Sequence, residues 1–129
     1  MPPDDAESLQ AEVLKFQRSY FEKDFERVAK RREKVLQELT EIGMFSQLRL
    51  DMNASVEIRT EQVMREMEGL AANLQVQIPS LPRKLRKTQR ELKEIAAFCG
   101  RLMKDYHELD RRVKENIEKE LQRRKKSSS

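Results

Sequence analysis

The two side chains that most often do chemistry near neutral pH each occur once in this sequence, as His107 and Cys99. A histidine that binds metal or transfers protons needs a partner. The neighbours of His107 in helical register include Met103 and Arg111, and a nearby cation disfavours metal binding. Cys99 falls on an apolar stripe, where cysteine is a small buried hydrophobic residue rather than a reactive thiolate. We therefore interpret His107 as an exposed helix residue and Cys99 as a packing residue that has no disulfide partner within the chain.

The short motifs that bind phosphates or position nucleophiles are missing from the sequence. It contains no G-x-x-x-x-G-K-[ST], G-x-G-x-x-G, G-x-S-x-G or C-x-x-C string. Carboxylates lie among Lys and Arg at helical spacing, as Glu115 and Lys119 do, and such exposed pairs contribute about 0.3 kcal/mol each to stability. The sequence therefore predicts that the protein is not an enzyme, with no catalytic residues, no cofactor and no metal ligands.

Two clusters of basic residues are the remaining candidates for a binding site. The first is Arg83, Lys84, Arg86, Lys87 and Arg90, and the second runs from Arg123 to Lys126. Cations at the start of a helix are unfavourable, because the helix dipole already places positive charge there. The first cluster therefore needs an acidic neighbour, which is nucleic-acid phosphate, an acidic helix of a partner or the acidic first half of this chain.

The distribution of charge along the chain favours the last of these neighbours. Residues 1–78 carry 11 basic and 15 acidic side chains, a net charge of −4, whereas residues 79–129 carry 16 and 8, a net charge of +8. The two halves attract each other if the chain folds back. We expect the acidic half to neutralise the first cluster, with nucleic-acid binding through residues 83–90 and 123–126 as the alternative.

The composition is typical of long helices. Of the 129 residues, 39% are charged and 5% are aromatic, with three glycines and four prolines. So few turn-forming residues argue against a sheet with many hairpins, and the abundant Glu, Lys, Arg, Leu and Gln are strong helix formers. No apolar stretch approaches the roughly 18 residues of a membrane span, and the acidic start of the chain is unlike a signal peptide. We expect an intracellular protein, cytoplasmic or nuclear.

Apolar residues recur mostly at alternating steps of three and four, the spacing of a coiled-coil seam. The first run is Phe21, Phe25, Val28, Arg32, Val35, Leu39 and Ile42, with Arg32 as its polar member. The second run is Met52, Val56, Thr60, Val63, Met67, Leu70 and Leu74. The third and longest is Leu85, Thr88, Leu92, Ile95, Cys99, Leu102, Tyr106, Leu109 and Val113. The register slips between Tyr20 and Phe21, and again between Val113 and Ile117.

Glycine and proline indicate where the helices end. Gly43 and the cap-forming residues that follow it leave a break at 43–55 open. Pro79 and Pro82 separate two helices, since proline disfavours helix in the preceding residue and suits a first turn. We predict a disordered leader at 1–5, a long helical segment at 6–78, a turn at 79–82, a coiled-coil helix at 83–124 and a polar tail at 125–129. The fold class is all-α, with two or three long coiled-coil helices and an antiparallel helical hairpin.

The turn resembles that of a known family. Residues 73–86, which contain Leu81-Pro82-Arg83-Lys84-Leu85-Arg86, are similar to the helix–turn–helix of the borealin family, chromosomal passenger subunits that bundle with two partner helices. The shared feature is a leucine-proline-x-x-leucine-arginine turn. The resemblance implies a subunit that folds with partner helices. This chain departs from the family pattern in its long first helix and its much longer last helix.

The last predicted helix is longer than the helix it folds back on, so part of its apolar stripe needs the first helix or another chain. We expect a partner-binding seam at Leu85, Leu92, Ile95, Leu102, Tyr106, Leu109 and Val113. This favours a structural or adaptor subunit of a kinetochore, tethering or cytoskeletal complex, with helical protein partners, no small-molecule substrate and no membrane span. A nucleic-acid-binding helical protein and a homo-oligomeric coiled coil are the alternatives.

Overall fold

The computed structural model describes residues 5–127, with side chains from Glu7 onward, and this part of the chain forms three helices and no strand. Helix α1 spans Asp5–Glu41, α2 spans Val56–Gln77 and α3 spans Arg83–Ser127. The all-helical prediction is confirmed. Residues 125–127 of the predicted polar tail extend α3, and Asp5 of the predicted leader begins α1. The rest of the leader and tail lies outside the described residues.

Helix α1 ends because Gly43 adopts a left-handed backbone conformation, with φ of +83°. The amide of Met44 donates to the carbonyl of Leu39, and the amide of Gly43 donates to that of Thr40. This pair of bonds is the Schellman motif, in which the residue after the helix has positive φ and is usually glycine. The next helix begins at Val56 and is capped by Ser55, whose hydroxyl accepts a hydrogen bond from the amide of Ile58 at 3.2 Å.

The connection between α1 and α2 runs back along α1. The guanidinium of Arg32 donates to the carbonyl of Leu48 at 2.9 Å, and that of Arg18 donates to the carbonyl of Met52 at 3.2 Å. The connection therefore passes Arg32 first and Arg18 later, in the direction opposite to α1. Its 14 residues can span about 46 Å when extended, more than the roughly 35 Å of helix from Arg18 to Glu41. Helices α1 and α2 consequently run parallel.

Two ion pairs join these parallel helices. Arg59 is 0% exposed, and its two terminal nitrogens lie 3.1 and 2.8 Å from the carboxylate oxygens of Glu22. Its guanidinium also lies 4.3 Å from the centre of the Phe25 ring. Arg32 pairs with Glu66 through two nitrogens. The polar member of the first heptad run is thus a structural residue, which links α1 to both α2 and the connection.

Helix α3 packs antiparallel to both other helices. Against α2, the imidazole of His107 lies 3.0 Å from the Glu57 carboxylate at one end, and the amide of Gln89 donates to the Ala71 carbonyl at the other. These contacts are consistent with the predicted hairpin. Against α1, the rings of Phe21 and Tyr106 lie 5.4 Å apart between centroids.

The core lies along the line where all three helices meet. Its largest fully buried apolar residues are Phe25, Val28, Val35, Leu39, Val63, Met67, Leu74, Leu92 and Ile95. All nine occupy heptad positions of the three runs, so the apolar stripes pack against one another within the chain. Cys99 is completely buried among them, and this burial raises the pKa of its thiol to about 11. Its side chain therefore packs as a neutral thiol, as expected from its position.

Candidate helix-binding groove

The three-helix bundle becomes a two-helix pair at one end. Helix α2 begins at Val56, beside His107 of α3, so residues 5–20 of α1 and 108–127 of α3 have no third helix against them. The heptad stripe of α3, from Leu85 to Val113, becomes less buried at the same level. Leu92 and Ile95 are 0% exposed and Leu102 is 6% exposed, whereas the stripe from Tyr106 onward is only half-buried.

A groove of about 490 Å³ lies between the two unsupported helix ends. It is lined by Gln10, Val13, Leu14, Gln17, Asp110, Lys114, Ile117, Glu118 and Leu121. The α3 members follow His107 at steps of three and four, so they extend the side of α3 that α2 covers. The groove is therefore the continuation of the α2 position beyond the start of that helix. We call it the open groove.

The side chains of the open groove are apolar at its centre and polar along its rims. Leu14 is 61% exposed, while Val13, Ile117 and Leu121 are half-buried. Monomeric proteins seldom leave a continuous apolar strip of this kind uncovered unless it binds something. The lining of the groove includes two acids, Asp110 and Glu118, and neither histidine nor cysteine.

A short chain of polar contacts holds the two helices at the inner end of the groove. Gln17 is 1% exposed, and its amide nitrogen lies 3.2 Å from the Asp110 carboxylate, whose other oxygen lies 2.8 Å from the Lys114 ammonium. Burial by itself raises the pKa of Asp110, but the hydrogen bonds from Lys114 and Gln17 outweigh it, so this pKa lies below its ordinary value. Asp110 is accordingly charged at neutral pH.

Aromatic side chains are exposed on the opposite side of the same helix pair. Phe16 and Tyr20 are 55% and 61% exposed, and their ring centroids lie 5.9 Å apart. Tyr20 also meets Phe21 edge-on at 4.9 Å, and Phe21 touches Tyr106. The two-helix end thus exposes apolar surface on both sides.

The structure places the predicted seam mostly inside the chain. Leu92, Ile95 and Leu102 are buried against α1 and α2, and Leu85 packs against the same core. The remaining three seam residues are Tyr106, Leu109 and Val113, which lie half-buried between α1 and α3. The surplus of α3 was expected to need either the first helix or another chain, and in the structure the first helix contacts it, as the Phe21 and Tyr106 rings show. What stays open is the groove beside that contact.

Sequence reasoning missed the residues of the open groove, although a signal for them exists. Leu14, Ile117 and Leu121 lie outside the longest heptad runs, on the far side of the two register slips. The slip after Tyr20 and the slip after Val113 occur close to the level at which α2 begins. A shift of register rotates the apolar stripe around a helix, and here the rotation coincides with the loss of the third helix.

The first basic cluster is exposed and has no ionic partner. Arg83, Lys84, Arg86, Lys87 and Arg90 all lie on the surface of α3, and within residues 5–127 none of them forms an ion pair. The expected neutralisation by acidic side chains of the first half is therefore not present as direct contacts. The second cluster, residues 123–126, differs, since Arg123 and Arg124 both pair with Glu120.

Two further observations concern the chemistry and the relatives of the chain. In the described part of the chain, acids, histidine and cysteine do not gather into a group of three that could bind a metal ion. None of its helices is both long and apolar enough to cross a membrane. Comparison with known proteins finds no matching family model, no matching curated protein and no matching solved structure.

Proposed function

We propose that this chain is a structural or adaptor subunit of a multi-protein complex, which binds an amphipathic helix of a partner protein in the open groove. The observation that carries the proposal is the continuity of this groove with the contact that α2 makes. The sides of α1 and α3 that hold α2 continue beyond its first residue, and there they carry Leu14, Ile117 and Leu121 without a third helix of the described residues against them. A partner helix bound there would be the third helix of the bundle at this end.

The stability of this contact would come from the apolar floor of the groove. Covering one Leu or Ile side chain contributes about 1.5–3 kcal/mol when burial is complete, so three such residues can support a specific contact after the entropic cost of association. The rims would set the register. Lys114 and Glu118 lie one turn apart on α3, and they would favour a partner helix with charges of the opposite order.

The finer features of the fold belong to the same proposal. The heptad steps support coiled-coil packing of α2 against α3 as an antiparallel hairpin, and of the partner helix against α1 and α3. We propose a hetero-oligomer in the cytoplasm or nucleus, with neither catalytic activity nor a cofactor. A homodimer through the same groove is the alternative, because a second copy also carries exposed apolar helix surface at Phe16 and Tyr20.

The experiment that tests the groove compares two exposed apolar residues at opposite ends of the molecule. Leu14→Glu places a charge in the groove, and Val76→Glu places the same charge at the end of α2, where the side chain is 77% exposed. A photo-crosslinking amino acid at each position then reports what lies there in native extract. We expect a single stoichiometric protein to be linked from position 14 and not from position 76, and to be lost when Ile117→Glu is added.

The mass of the linked product distinguishes a partner protein from a second copy of this chain. A crosslinked product of twice the chain's own mass would show that the groove binds a second copy of this chain, and the homodimer would then replace the hetero-oligomer in the proposal. The proposal is refuted if Leu14→Glu leaves every association of the chain as in the wild type while circular dichroism shows the variant folded.

A further inference from the structure

The first half of α3 presents a face made mostly of cations. Its eight basic residues are Arg83, Lys84, Arg86, Lys87, Arg90, Lys93, Arg101 and Lys104, and all of them are exposed. At about 100° per residue, every one except Lys84 falls within an arc of about 120°. The centre of that arc lies opposite the buried Leu92, Ile95 and Cys99. We call these eight residues the basic face.

The cations of the basic face form no ion pair among the described residues 5–127. The two acidic residues in this part of α3, Glu91 and Glu94, lie 3.9 and 3.5 Å from Arg31 of α1. Glu94 falls within the arc of the basic face, where it is the one acidic residue between 83 and 104. Arg101 makes only a contact with the Phe98 ring, 5.9 Å from its centre. The like charges of this face therefore repel one another, and a bound polyanion would relieve that repulsion.

The second half of the same helix shows the contrasting arrangement. There Arg111 pairs with Glu115 at 3.0 Å and Arg112 pairs with Glu108 at 2.8 Å, both at the spacing of one helical turn. Surface pairs of this kind compensate charge within the helix. Since the chain uses them beyond residue 107 and not between 83 and 104, the uncompensated charge is a property of one face rather than of the whole helix.

The chemistry of the basic face distinguishes among the polyanions that it could bind. The centre of a protein interface is depleted in lysine and in charge generally, and this face has no apolar anchor larger than Ala97. An amphipathic helix enters a membrane through its apolar side, but that side of α3 is buried under α1 and α2. Single-stranded nucleic acid is held by exposed aromatic rings, and Phe98, beneath Arg101, is half-buried.

A nucleic-acid duplex needs none of these features, because regularly spaced phosphates supply most of its non-specific affinity. From residue 83 to residue 104 the helix advances about 32 Å, close to the roughly 34 Å of one duplex turn. We propose that the basic face binds the phosphate backbone of a double-stranded nucleic acid, without reading its base sequence, over about one helical turn. This site is separate from the open groove, so it stands or fails independently of the proposed function.

The test compares two triple variants that change the net charge equally. Arg86→Gln, Arg90→Gln and Arg101→Gln remove three cations from the basic face, and Arg111→Gln, Arg112→Gln and Arg123→Gln remove three paired cations from the second half of α3. Binding of the full chain to labelled DNA and RNA duplexes of about two turns is measured by fluorescence anisotropy between about 50 and 200 mM salt.

We expect the wild-type chain to bind both duplexes with a logarithmic salt slope of about −5, for about six phosphate contacts. The first triple variant should lose affinity on the order of a hundred-fold, with a slope of about −3, while the second should change by less than about threefold. Circular dichroism verifies that both variants stay helical.

Three results would overturn this proposal. The first is no salt-sensitive binding of the wild-type chain to either duplex. The second is an equal loss of affinity in both triple variants, which would attribute binding to net charge alone. The third is binding to vesicles of phosphatidylcholine and phosphatidylserine without binding to duplex, which would assign the face to an anionic membrane.

Discussion

Removing the carboxylate of Glu22 in α1, which pairs with the buried Arg59, should destabilise the bundle far more than removing the more exposed carboxylate of Glu61 in α2. Arg59 is 0% exposed and touches Glu22 through two hydrogen bonds of 3.1 and 2.8 Å. Glu22→Gln keeps the shape of that side chain and leaves the guanidinium buried without a counter-charge. Breaking a buried pair in this way costs about 3–5 kcal/mol. Because the Glu22 side chain is 29% exposed, water reaches the pair, and we lower the expected cost to about 2–3 kcal/mol.

The matched control is Glu61→Gln. Glu61 also pairs with an arginine, Arg65, at 2.8 Å, but the two side chains are 39% and 75% exposed. Its loss should cost less than about 0.5 kcal/mol. Urea unfolding followed by circular dichroism measures both variants, and the Glu22 variant should also unfold about 8–12 °C below the wild type.

A third variant separates the buried charge from the contact. Arg59→Met removes the cation and also its Nε atom, which has no hydrogen-bond partner, and it leaves a partly exposed Glu22 that water can solvate. We expect Arg59→Met to cost less than Glu22→Gln, because an isolated buried cation is worse than no cation. If Glu22→Gln is no more destabilising than Glu61→Gln, the pair is not buried in solution and this reasoning is wrong.

The remaining predictions concern the helix end, the thiol and the seam. Gly43→Ala should lower the free energy of unfolding by about 1 kcal/mol, because the φ of Gly43 is +83°. Gly69→Ala, with open space around the added Cβ, should raise it by about 0.5–1 kcal/mol in urea unfolding. If both variants change stability in the same direction, α1 does not end at Gly43 in the way described. Cys99, with its pKa raised to about 11, should react with a thiol reagent at pH 8 only after urea unfolds the chain, and fast reaction in buffer would contradict its burial. Leu102→Asp should unfold the bundle while Lys104→Asp, two residues further along α3 and exposed, changes stability by less than about 0.5 kcal/mol; equal thermal shifts would mean that the register is misassigned.

The periodicity of apolar residues was sufficient to predict the helices. The stripe from Leu85 to Val113 keeps its heptad steps for most of α3, and a helix presents such a stripe on one side whatever it packs against. The same local physics located the turn at Pro79 and Pro82, since proline restricts its own backbone and that of its neighbour. At Gly43 the sequence left the break undecided, because a glycine within a helix costs only about 1 kcal/mol.

Which side chains face which could not be obtained in this way. A heptad stripe shows that a residue is covered but not what covers it. Leu92, Ile95 and Leu102 were therefore predicted to bind a partner, whereas the structure buries them against the chain's own helices. The answer came from the extended connection held by Arg18 and Arg32, which returns along α1 and makes α1 and α2 parallel. That path depends on contacts between residues 16 and 34 positions apart in the sequence, beyond the reach of any local pattern.

Both proposed binding surfaces follow from the relative levels of the helices. The open groove exists because α2 begins beside His107 while α1 and α3 continue. The basic face was partly visible, since residues 83–90 are rich in cations whatever the fold. Only the tertiary structure decided that Glu91 and Glu94 pair with Arg31 of α1, and that the eight cations of the basic face form no ion pair within the described residues 5–127. The physical reason is that a charge is neutralised by its neighbours in space, and for these helices those neighbours are set by packing rather than by position along the chain.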